Sequence, residues 1–263
     1  MSSKECSDLS SVEEKNNSPK FNPATFDMYA ELYEKMFSWP YRKELELPTL
    51  ERLLGNLSGL KVLDFGCGPG ATSRWLRERG AEYIIGYDIS EGMLNYARRR
   101  EEQDQPRIHY ISDINEKYNE YFDIVFAVYV MPCATNREDL LMMSKTMSRV
   151  LKPGGRLITL PIHPDFNAEP EYYRPFGLRL IEERQRADGN PIRLHICQSP
   201  YDVYIQIYYW SRQTLENMLH LAGFQTVNWK PLYVPANTLL SALSLYAQWP
   251  HAAIIECIKG KAC

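Results

Sequence analysis

The sequence contains no apolar run long enough to cross a membrane and no surplus of basic charge. Its longest apolar run covers residues 124–131, whereas a membrane helix needs about 20 consecutive apolar residues. The 30 basic and 33 acidic side chains give a formal net charge of -3, so nothing indicates the basic surface that binds nucleic acid. We therefore expect no membrane and no nucleic acid among its partners.

Cysteines are few, and their spacing follows no known pattern. The six cysteines include no C-x-x-C pair and no other spacing typical of a metal site. We therefore expect no metal and a reduced protein. The N-terminus has no apolar core of a secretory signal, which favours a cytoplasmic location. Nothing in the sequence indicates the oligomeric state.

The composition favours one domain preceded by a tail. Residues 1–20 are polar and charged, which predicts a disordered segment. The remaining residues, 21–263, suit one α/β domain with additions, because 44% of the chain is hydrophobic and can supply a full core.

A glycine-rich turn between an expected strand and an expected helix is the most informative stretch. Residues 61–65 predict the strand, residues 71–79 predict the helix, and Gly66, Gly68 and Gly70 stand between them at alternate positions. Glycine permits positive φ angles and lets a ligand approach the backbone closely. The helix N-terminus adds free N–H groups. The sequence therefore predicts a nucleotide site at this turn.

Asp64 distinguishes between two nucleotide ligands. The glycine spacing also fits the dinucleotide fingerprint G-x-G-x-x-G/A, with Ala71 in the last place. An NAD(P)-dependent oxidoreductase is therefore the alternative interpretation. A carboxylate at the end of this strand would repel a pyrophosphate, but it favours the sulfonium and ammonium groups of S-adenosylmethionine. We therefore expect S-adenosyl-L-methionine as the cofactor.

A second carboxylate lies at the end of the next expected strand, residues 83–87. Asp88 can accept hydrogen bonds from both ribose hydroxyls of an adenosine. Capping of the following helix is the alternative role, but Ser90 is available for that. Ile89 and Met93 would then flank the adenine as apolar walls.

Strands and helices alternate through residue 161, which indicates a parallel sheet covered on both faces. Two helices, at 23–38 and 41–54, precede the first strand. Later strands are expected at 108–111, 122–130, 156–161, 226–233 and 252–258, and later helices at 91–100, 137–151 and 213–222. The fold class is therefore α/β, with a Rossmann-like, seven-stranded, mostly parallel sheet.

The string Val-Leu-Asp-Phe-Gly-Cys-Gly-Pro-Gly at 62–70 and the turn Leu-Lys-Pro-Gly-Gly at 151–155 resemble class I S-adenosylmethionine-dependent methyltransferases. The resemblance implies that the two N-terminal helices form part of a lid. Tyr29 would then contact the cofactor and Tyr33 the substrate, although both tyrosines also suit plain packing of the helix on the core.

The same resemblance implies further cofactor contacts at the third and fourth strands. Asp113 would accept the adenine amino group, and Ile114 would pack on the ring. A surface loop is the alternative place for Asp113. Ala127 and Val128 would line the methionine end through their backbone groups.

The segment 162–209 is too long for a strand–helix loop, and segments of this length are usually functional. It predicts a hairpin around 188–190, a further strand at 202–209, and an inserted, aromatic-rich cap over the sheet. We expect Tyr172, Tyr173, Tyr208 and Trp210 to contact a flat substrate, while packing inside the cap is the alternative. The layout also resembles, more loosely, the toxoflavin-type small-molecule N-methyltransferases.

His163 follows the fifth expected strand, at the edge of the sheet where ligands bind. It is a candidate base for an acceptor hydroxyl, whereas a ring nitrogen with a lone pair needs none. An ordinary surface histidine is the alternative. We expect methyl transfer to a nitrogen or oxygen of a small aromatic or heterocyclic metabolite, with a peptide or protein acceptor as the other possibility.

Overall fold

A computed structural model describes residues 24, 26–104, 108–236 and 242–261. Its strands are β1 Lys61–Phe65, β2 Tyr83–Tyr87, β3 Ile108–Ile111, β4 Phe122–Val128, β5 Leu151–Leu160, β6 Leu178–Glu182, β7 Pro191–Ile196, β8 Val203–Tyr208, β9 Phe224–Lys230 and β10 Ile254–Lys259. Its α-helices are α1 Ala30–Met36, α2 Leu47–Leu54, α3 Ala71–Glu78, α4 Glu91–Asp104, α5 Arg137–Val150, α6 Arg212–Leu221 and α7 Leu243–Gln248. The tail predicted for residues 1–20 lies outside the described residues.

Seven strands form one sheet in the order β3-β2-β1-β4-β5-β10-β9. Strands β3, β2, β1, β4 and β5 are parallel to one another, and β10 is antiparallel to both β5 and β9. This confirms the expected seven-stranded, mostly parallel sheet. The strand order reverses between β1 and β4, which is the point where open α/β sheets bind ligands, and the glycine turn follows β1 there.

The central strand β4 shows how the sequence produces the two-sided core. Ile124 and Phe126 pack on one face of the sheet, and Val125 and Ala127 pack on the other. Alternate side chains of a strand point to opposite faces, so a run that is apolar throughout is buried on both sides. Helices α3 and α4 contribute to one face, and α5 and α6 contribute to the other.

Several strand ends differ from the sequence prediction, and two of them have a clear local cause. Strand β4 ends at Val128 because Tyr129 has a φ of 59°, which leaves the extended conformation. Strand β5 begins at Leu151 rather than at residue 156, because Leu151 already pairs with Phe122 and the Lys-Pro-Gly-Gly turn bulges out of the ladder. Both ends lie where a local turn interrupts strand pairing.

The segment after β5 contains its own three-stranded antiparallel sheet, β6-β7-β8. The predicted hairpin around 188–190 is confirmed, since β6 and β7 pair across it. One face of the small sheet packs on α1 and on the turn of π-helix Arg42–Glu46, which runs directly into α2. These segments share a third hydrophobic core with α7, which is separate from the two cores of the main sheet.

Within the described part of the chain, no helix is both long enough and apolar enough to cross a membrane.

Candidate functional site

A cavity of about 820 Å³ lies at the carboxyl ends of β1, β2 and β4. The glycine turn and the start of α4 line one end, while the small sheet closes the other. Seven of the residues predicted from the sequence line this cavity: Tyr33, Gly66, Gly68, Asp88, Ile89, Met93 and Val128.

The glycine turn adopts the conformation that its sequence requires. Gly66, Gly68 and Gly70 have φ angles of 73°, 52° and 81°, a region that other residues rarely occupy. The backbone N–H of Gly66 donates to the carbonyl of Tyr87 at 2.7 Å, which fixes the turn against β2. A Cβ atom on Gly66 would lie 2.5 Å from Cγ2 of Val130. The turn therefore keeps the cavity open at a point where any side chain would fill it.

Asp88 is held by the backbone at the same end of the cavity. One carboxylate oxygen accepts from the N–H of Gly68 at 2.8 Å, and the other accepts from the N–H of Ser90 at 2.9 Å. Burial raises the pKa of Asp88, and these backbone donors oppose that rise. Each oxygen retains a lone pair, so the oriented carboxylate suits a pair of ribose hydroxyls. The turn and this carboxylate together fit an adenosine.

Asp64 lies beneath the turn rather than on the cavity surface. It is 1% exposed, and Oγ of Ser73 on α3 donates to its carboxylate at 2.5 Å. Burial raises the pKa of Asp64 to about 7. The structure therefore places Asp64 where it fixes the start of α3, outside the lining of the cavity.

Three further residues predicted as cofactor contacts also lie away from the cavity. Asp113 is exposed, and Ile114 packs on the edge of the main core. Ala127 is fully buried, and its carbonyl accepts from the hydroxyl of Thr159 at 2.8 Å. A side chain at the end of a strand can face the cavity, the core or solvent, and the sequence motif alone does not decide which.

The N-terminal segment covers the cofactor end. Tyr33 lines the cavity, and burial raises its pKa, with Asp88 adding to the effect. The contact of Tyr33 with the substrate stays a prediction. Tyr29 does not line the cavity and packs partly buried on the third core. Asp27 fastens the segment to α4 by accepting from Oγ of Ser90 at 2.6 Å.

The far end of the cavity has aliphatic walls. Leu178 of β6, Leu194 of β7, and Ile205 and Ile207 of β8 face it, together with Ile162. We expected an aromatic wall there instead. The β8 pattern has two faces, and the structure places the isoleucine face on the cavity, while Tyr204 is 50% exposed.

The four aromatic residues predicted to contact the substrate lie outside this cavity. Tyr208 and Trp210 pack into the core of the main sheet. Tyr173 is fully buried and accepts a hydrogen bond from the N–H of Asn167 at 2.9 Å, and the Tyr172 hydroxyl donates to the carbonyl of Leu245. Tyr173 therefore packs inside the cap, as the alternative proposed, whereas Tyr208 and Trp210 pack on the main sheet.

His163 also lies outside the cavity. It borders a smaller depression of about 310 Å³ beside Arg212 and Trp229. Its Nδ1 accepts from the backbone N–H of Asp165 at 3.0 Å, and burial lowers its pKa. The catalytic role of His163 stays a prediction, and its position gives that role no support.

The structure instead brings a buried polar cluster to the cavity, formed by Arg42, Glu46, Tyr129, Tyr246 and His251. Glu46 accepts from the Arg42 guanidinium at 3.1 Å, from the Tyr129 hydroxyl at 2.7 Å and from the Tyr246 hydroxyl at 2.9 Å. The Tyr246 hydroxyl also contacts Nδ1 of His251 at 2.6 Å. Arg42, Tyr129 and His251 line the cavity.

The sequence gives little indication of this cluster. Arg42 and Glu46 are four residues apart, the spacing of a helical ion pair, and that pair is the one local signal. Tyr129 and His251 each adjoin a buried strand and carry no motif. Their meeting depends on the tertiary fold. Among the described residues, no group of three or more His, Cys, Asp or Glu side chains suits a metal ion.

Known methyltransferases share sequence with this chain. The family described as a methyltransferase domain matches residues 62–155. The demethylmenaquinone methyltransferase of Tropheryma whipplei is 30% identical over 196 residues, which cover 73% of this chain and 77% of that protein. The N-demethylindolmycin N-methyltransferase of Streptomyces griseus is 25% identical over 186 residues, which cover 66% of this chain and 73% of that protein.

The fold is shared as well. The crystal structure of an S-adenosylmethionine-dependent methyltransferase from Mesorhizobium loti, at 21% identity, has a TM-score of 0.57 and covers 81% of this chain and 97% of that one. With the matched domain and the relative that is 30% identical over most of both proteins, the chain belongs to the class I S-adenosylmethionine-dependent methyltransferases.

Proposed function

We propose that this enzyme transfers the methyl group of S-adenosylmethionine to a nitrogen or oxygen of a small, largely apolar ring compound. One observation carries the proposal. A single cavity runs from the Asp88 carboxylate to the aliphatic wall of the small sheet. It therefore offers a polar half that suits adenosine and an apolar half that suits a ring.

Different residues bind the cofactor in the polar half and the acceptor in the apolar half. When bound, the sulfonium supplies an already activated methyl group, so the protein mainly aligns the acceptor and excludes water. Asp88 and the N–H groups of the glycine turn hold the adenosine. Ile205 and Ile207 are nearly fully buried at the other end, where they keep the acceptor side dry.

The similar proteins support a small acceptor. Demethylmenaquinone and N-demethylindolmycin, in the names of two relatives, are small molecules rather than peptides. An interior lined by aliphatic side chains suits such compounds better than it suits a peptide backbone, whose polar groups would be buried without partners. A protein or peptide acceptor is the alternative that the experiments below distinguish.

The cofactor half is tested by calorimetry with S-adenosylhomocysteine. Asp88→Ala removes the carboxylate that faces the ribose, so we expect binding to weaken by about 1.5–3 kcal/mol, the scale of hydrogen bonds to a charged group. Asp113→Ala is the matched control, because it removes an exposed carboxylate outside the cavity. Equal losses in both variants, or tight binding of NAD by the wild type, would contradict the proposal.

The acceptor half is tested by two neighbouring substitutions on β8. Ile207→Trp fills the cavity, whereas Gln206→Trp adds the same bulk to the exposed face of the strand. With naphthol and indole as probe acceptors, we expect Ile207→Trp to abolish S-adenosylhomocysteine production while cofactor binding is retained. Unchanged turnover in Ile207→Trp would place the acceptor elsewhere, for example on an outer surface that suits a protein.

Other features remain proposals based on the sequence. They are one methyltransferase domain over residues 21–263 with residues 162–209 as its cap, a cytoplasmic location, and the absence of nucleic acid and membrane from its partners.

A further inference from the structure

His251 is a buried histidine at the acceptor end of the cavity. It lies three residues before the first residue of β10, its side chain lines the cavity, and it is 4% exposed. The rings of Tyr41, Tyr129 and Tyr246 pack around it, with centroids 5.2, 5.5 and 5.7 Å away. The imidazole is therefore held rigidly by aromatic neighbours.

The hydrogen bonds of the polar cluster determine the tautomer of His251. Burial raises the pKa of Glu46, while Arg42 and the hydrogen bonds from Tyr129 and Tyr246 oppose that rise. The guanidinium of Arg42 stays protonated, so we assign Glu46, which accepts from it at 3.1 Å, as a carboxylate. Tyr246 has one hydroxyl proton and donates it to Glu46 at 2.9 Å. The 2.6 Å contact between this hydroxyl and Nδ1 of His251 then requires a proton on Nδ1. The lone pair of the neutral imidazole is therefore on Nε2.

Nε2 is left available to a ligand. In the part of the chain that the structure describes, no polar atom forms a hydrogen bond with Nε2. Burial and the nearby positive charge of Arg42 lower the pKa of His251 to about 3, so the ring is neutral before a ligand binds. Because His251 lines the cavity, a ligand with an O–H or N–H group would donate a hydrogen bond to Nε2.

We propose that His251 is a catalytic residue whose Nε2 accepts the proton of an acceptor hydroxyl, and that the acceptor is an apolar phenol or hydroquinone. This inference rests on the proposed function, because it concerns the same cavity. As the oxygen attacks, the bond from oxygen to the methyl carbon forms and the bond from sulfur to that carbon breaks with its electron pair. The hydroxyl proton passes to Nε2, and it leaves to solvent with the product.

The surroundings of His251 favour transfer of the proton at the same time as the methyl group. A neutral imidazole surrounded by apolar rings is a weak base at rest, so the hydroxyl donates a hydrogen bond but keeps its proton. As the acceptor oxygen donates its electron pair to the methyl carbon, its hydroxyl becomes far more acidic, so even a weak base takes the proton. Glu46 stabilises the resulting imidazolium through Tyr246. Proton transfer and methyl transfer therefore occur together.

A hydroxyl fits these groups better than a bare ring nitrogen. An unprotonated ring nitrogen offers a lone pair without a hydrogen, so it would leave Nε2 unsatisfied and would meet a second lone pair there. The guanidinium of Arg42 would also oppose the positive charge that a methylated ring nitrogen acquires. A phenolic acceptor satisfies Nε2 and loses its proton in the same step.

The test compares naphthol with quinoline as probe acceptors. His251→Asn keeps an amide near the Nδ1 position for Tyr246 but removes the Nε2 acceptor. We expect it to lower kcat with naphthol by about 10²-fold or more, the usual scale for a lost base, with S-adenosylhomocysteine affinity unchanged. His195→Asn is the matched control, because it removes a buried histidine that pairs with Asp202 in the small sheet and does not line the cavity.

A second variant keeps the inference testable if His251→Asn does not fold. Tyr246→Phe retains the ring but removes the hydroxyl that fixes the tautomer, and we expect about a tenfold fall in kcat with naphthol and little change in KM. Unchanged turnover in either folded variant, or preferred methylation of quinoline by the wild type, would overturn the inference. If the wild type binds S-adenosylhomocysteine but does not turn over naphthol, the acceptor class is wrong. If it does not bind S-adenosylhomocysteine, the proposed function itself fails.

Discussion

Replacement of Asp64 by asparagine should stabilise the cofactor-free protein at alkaline pH. Asp64 is 1% exposed, and burial raises the pKa of its carboxyl from 3.8 to about 7. A carboxyl whose folded pKa is raised contributes stability that is full below its unfolded pKa and is lost as pH rises through the folded pKa. The loss across this window is roughly 4 kcal/mol, at about 1.4 kcal/mol per pH unit.

Asparagine resembles the protonated acid in shape, and it does not titrate. It can still accept the hydrogen bond that Ser73 donates at 2.5 Å. The stability of Asp64→Asn relative to the wild type should therefore increase by roughly 3 kcal/mol between about pH 5 and about pH 8. Urea unfolding at a series of pH values measures this difference, and comparison with the wild type cancels the titration of every other group.

Asp123→Asn provides a control, because the pKa of Asp123 is shifted in the opposite direction to that of Asp64. Lys152 and the backbone N–H of Lys61 bind Asp123 and hold the pKa of its carboxyl below its usual value. Its contribution changes in the acid range, so the difference from the wild type should be constant above about pH 5. If Asp64→Asn also shows a constant difference there, or becomes less stable than the wild type as pH rises, Asp64 is ionised in the folded protein and the reasoning is refuted.

Two further predictions concern the cofactor end. Gly66→Ala should abolish S-adenosylhomocysteine binding and lower the free energy of unfolding by about 1–3 kcal/mol, because its Cβ would meet Val130. Gly59 has the same φ of 73° but open space around its Cβ. Gly59→Ala should therefore lower stability without a loss of binding. Asp27→Ala should raise amide hydrogen exchange across α1 while exchange in β4 stays unchanged, because Asp27 accepts from Oγ of Ser90 at 2.6 Å. Equal protection of α1 in the variant and the wild type would show that other contacts hold the N-terminal segment.

Local sequence signals predicted the sheet and the cofactor end of the cavity. The strand, the glycine turn and the start of α3 are contiguous, and their positive φ angles belong to the residues that stand there. Asp88 follows the neighbouring strand directly, so strand order alone brings it to the turn. Such features depend on few contacts beyond sheet pairing, and the sequence therefore predicts them well.

The acceptor end depends on contacts that no local pattern contains. The aromatic residues of the insertion were expected in the cavity, but period-two alternation defines two faces of β8 without indicating which one is buried against the ligand. Glu46 meets Tyr129 and Tyr246, which are 83 and 200 positions away along the chain. A partner so distant in sequence is determined by tertiary packing, which propensity and motif do not encode.

The polar cluster and the adjacent Tyr41 contain unsatisfied polar groups and a strained residue, which supports a ligand site at this corner of the cavity. Among the described residues, the Arg42 Nε and the Tyr41 hydroxyl are buried without hydrogen-bond partners, and Tyr129 occupies a strained backbone conformation with a φ of 59°. Each unsatisfied group or strained residue costs about 1–3 kcal/mol, and an apolar replacement for a buried ion pair is often more stable. Stability alone would therefore not assemble these groups beside the cavity. Strain and unsatisfied groups of this kind concentrate at functional sites, which is why we propose that the acceptor binds at this corner.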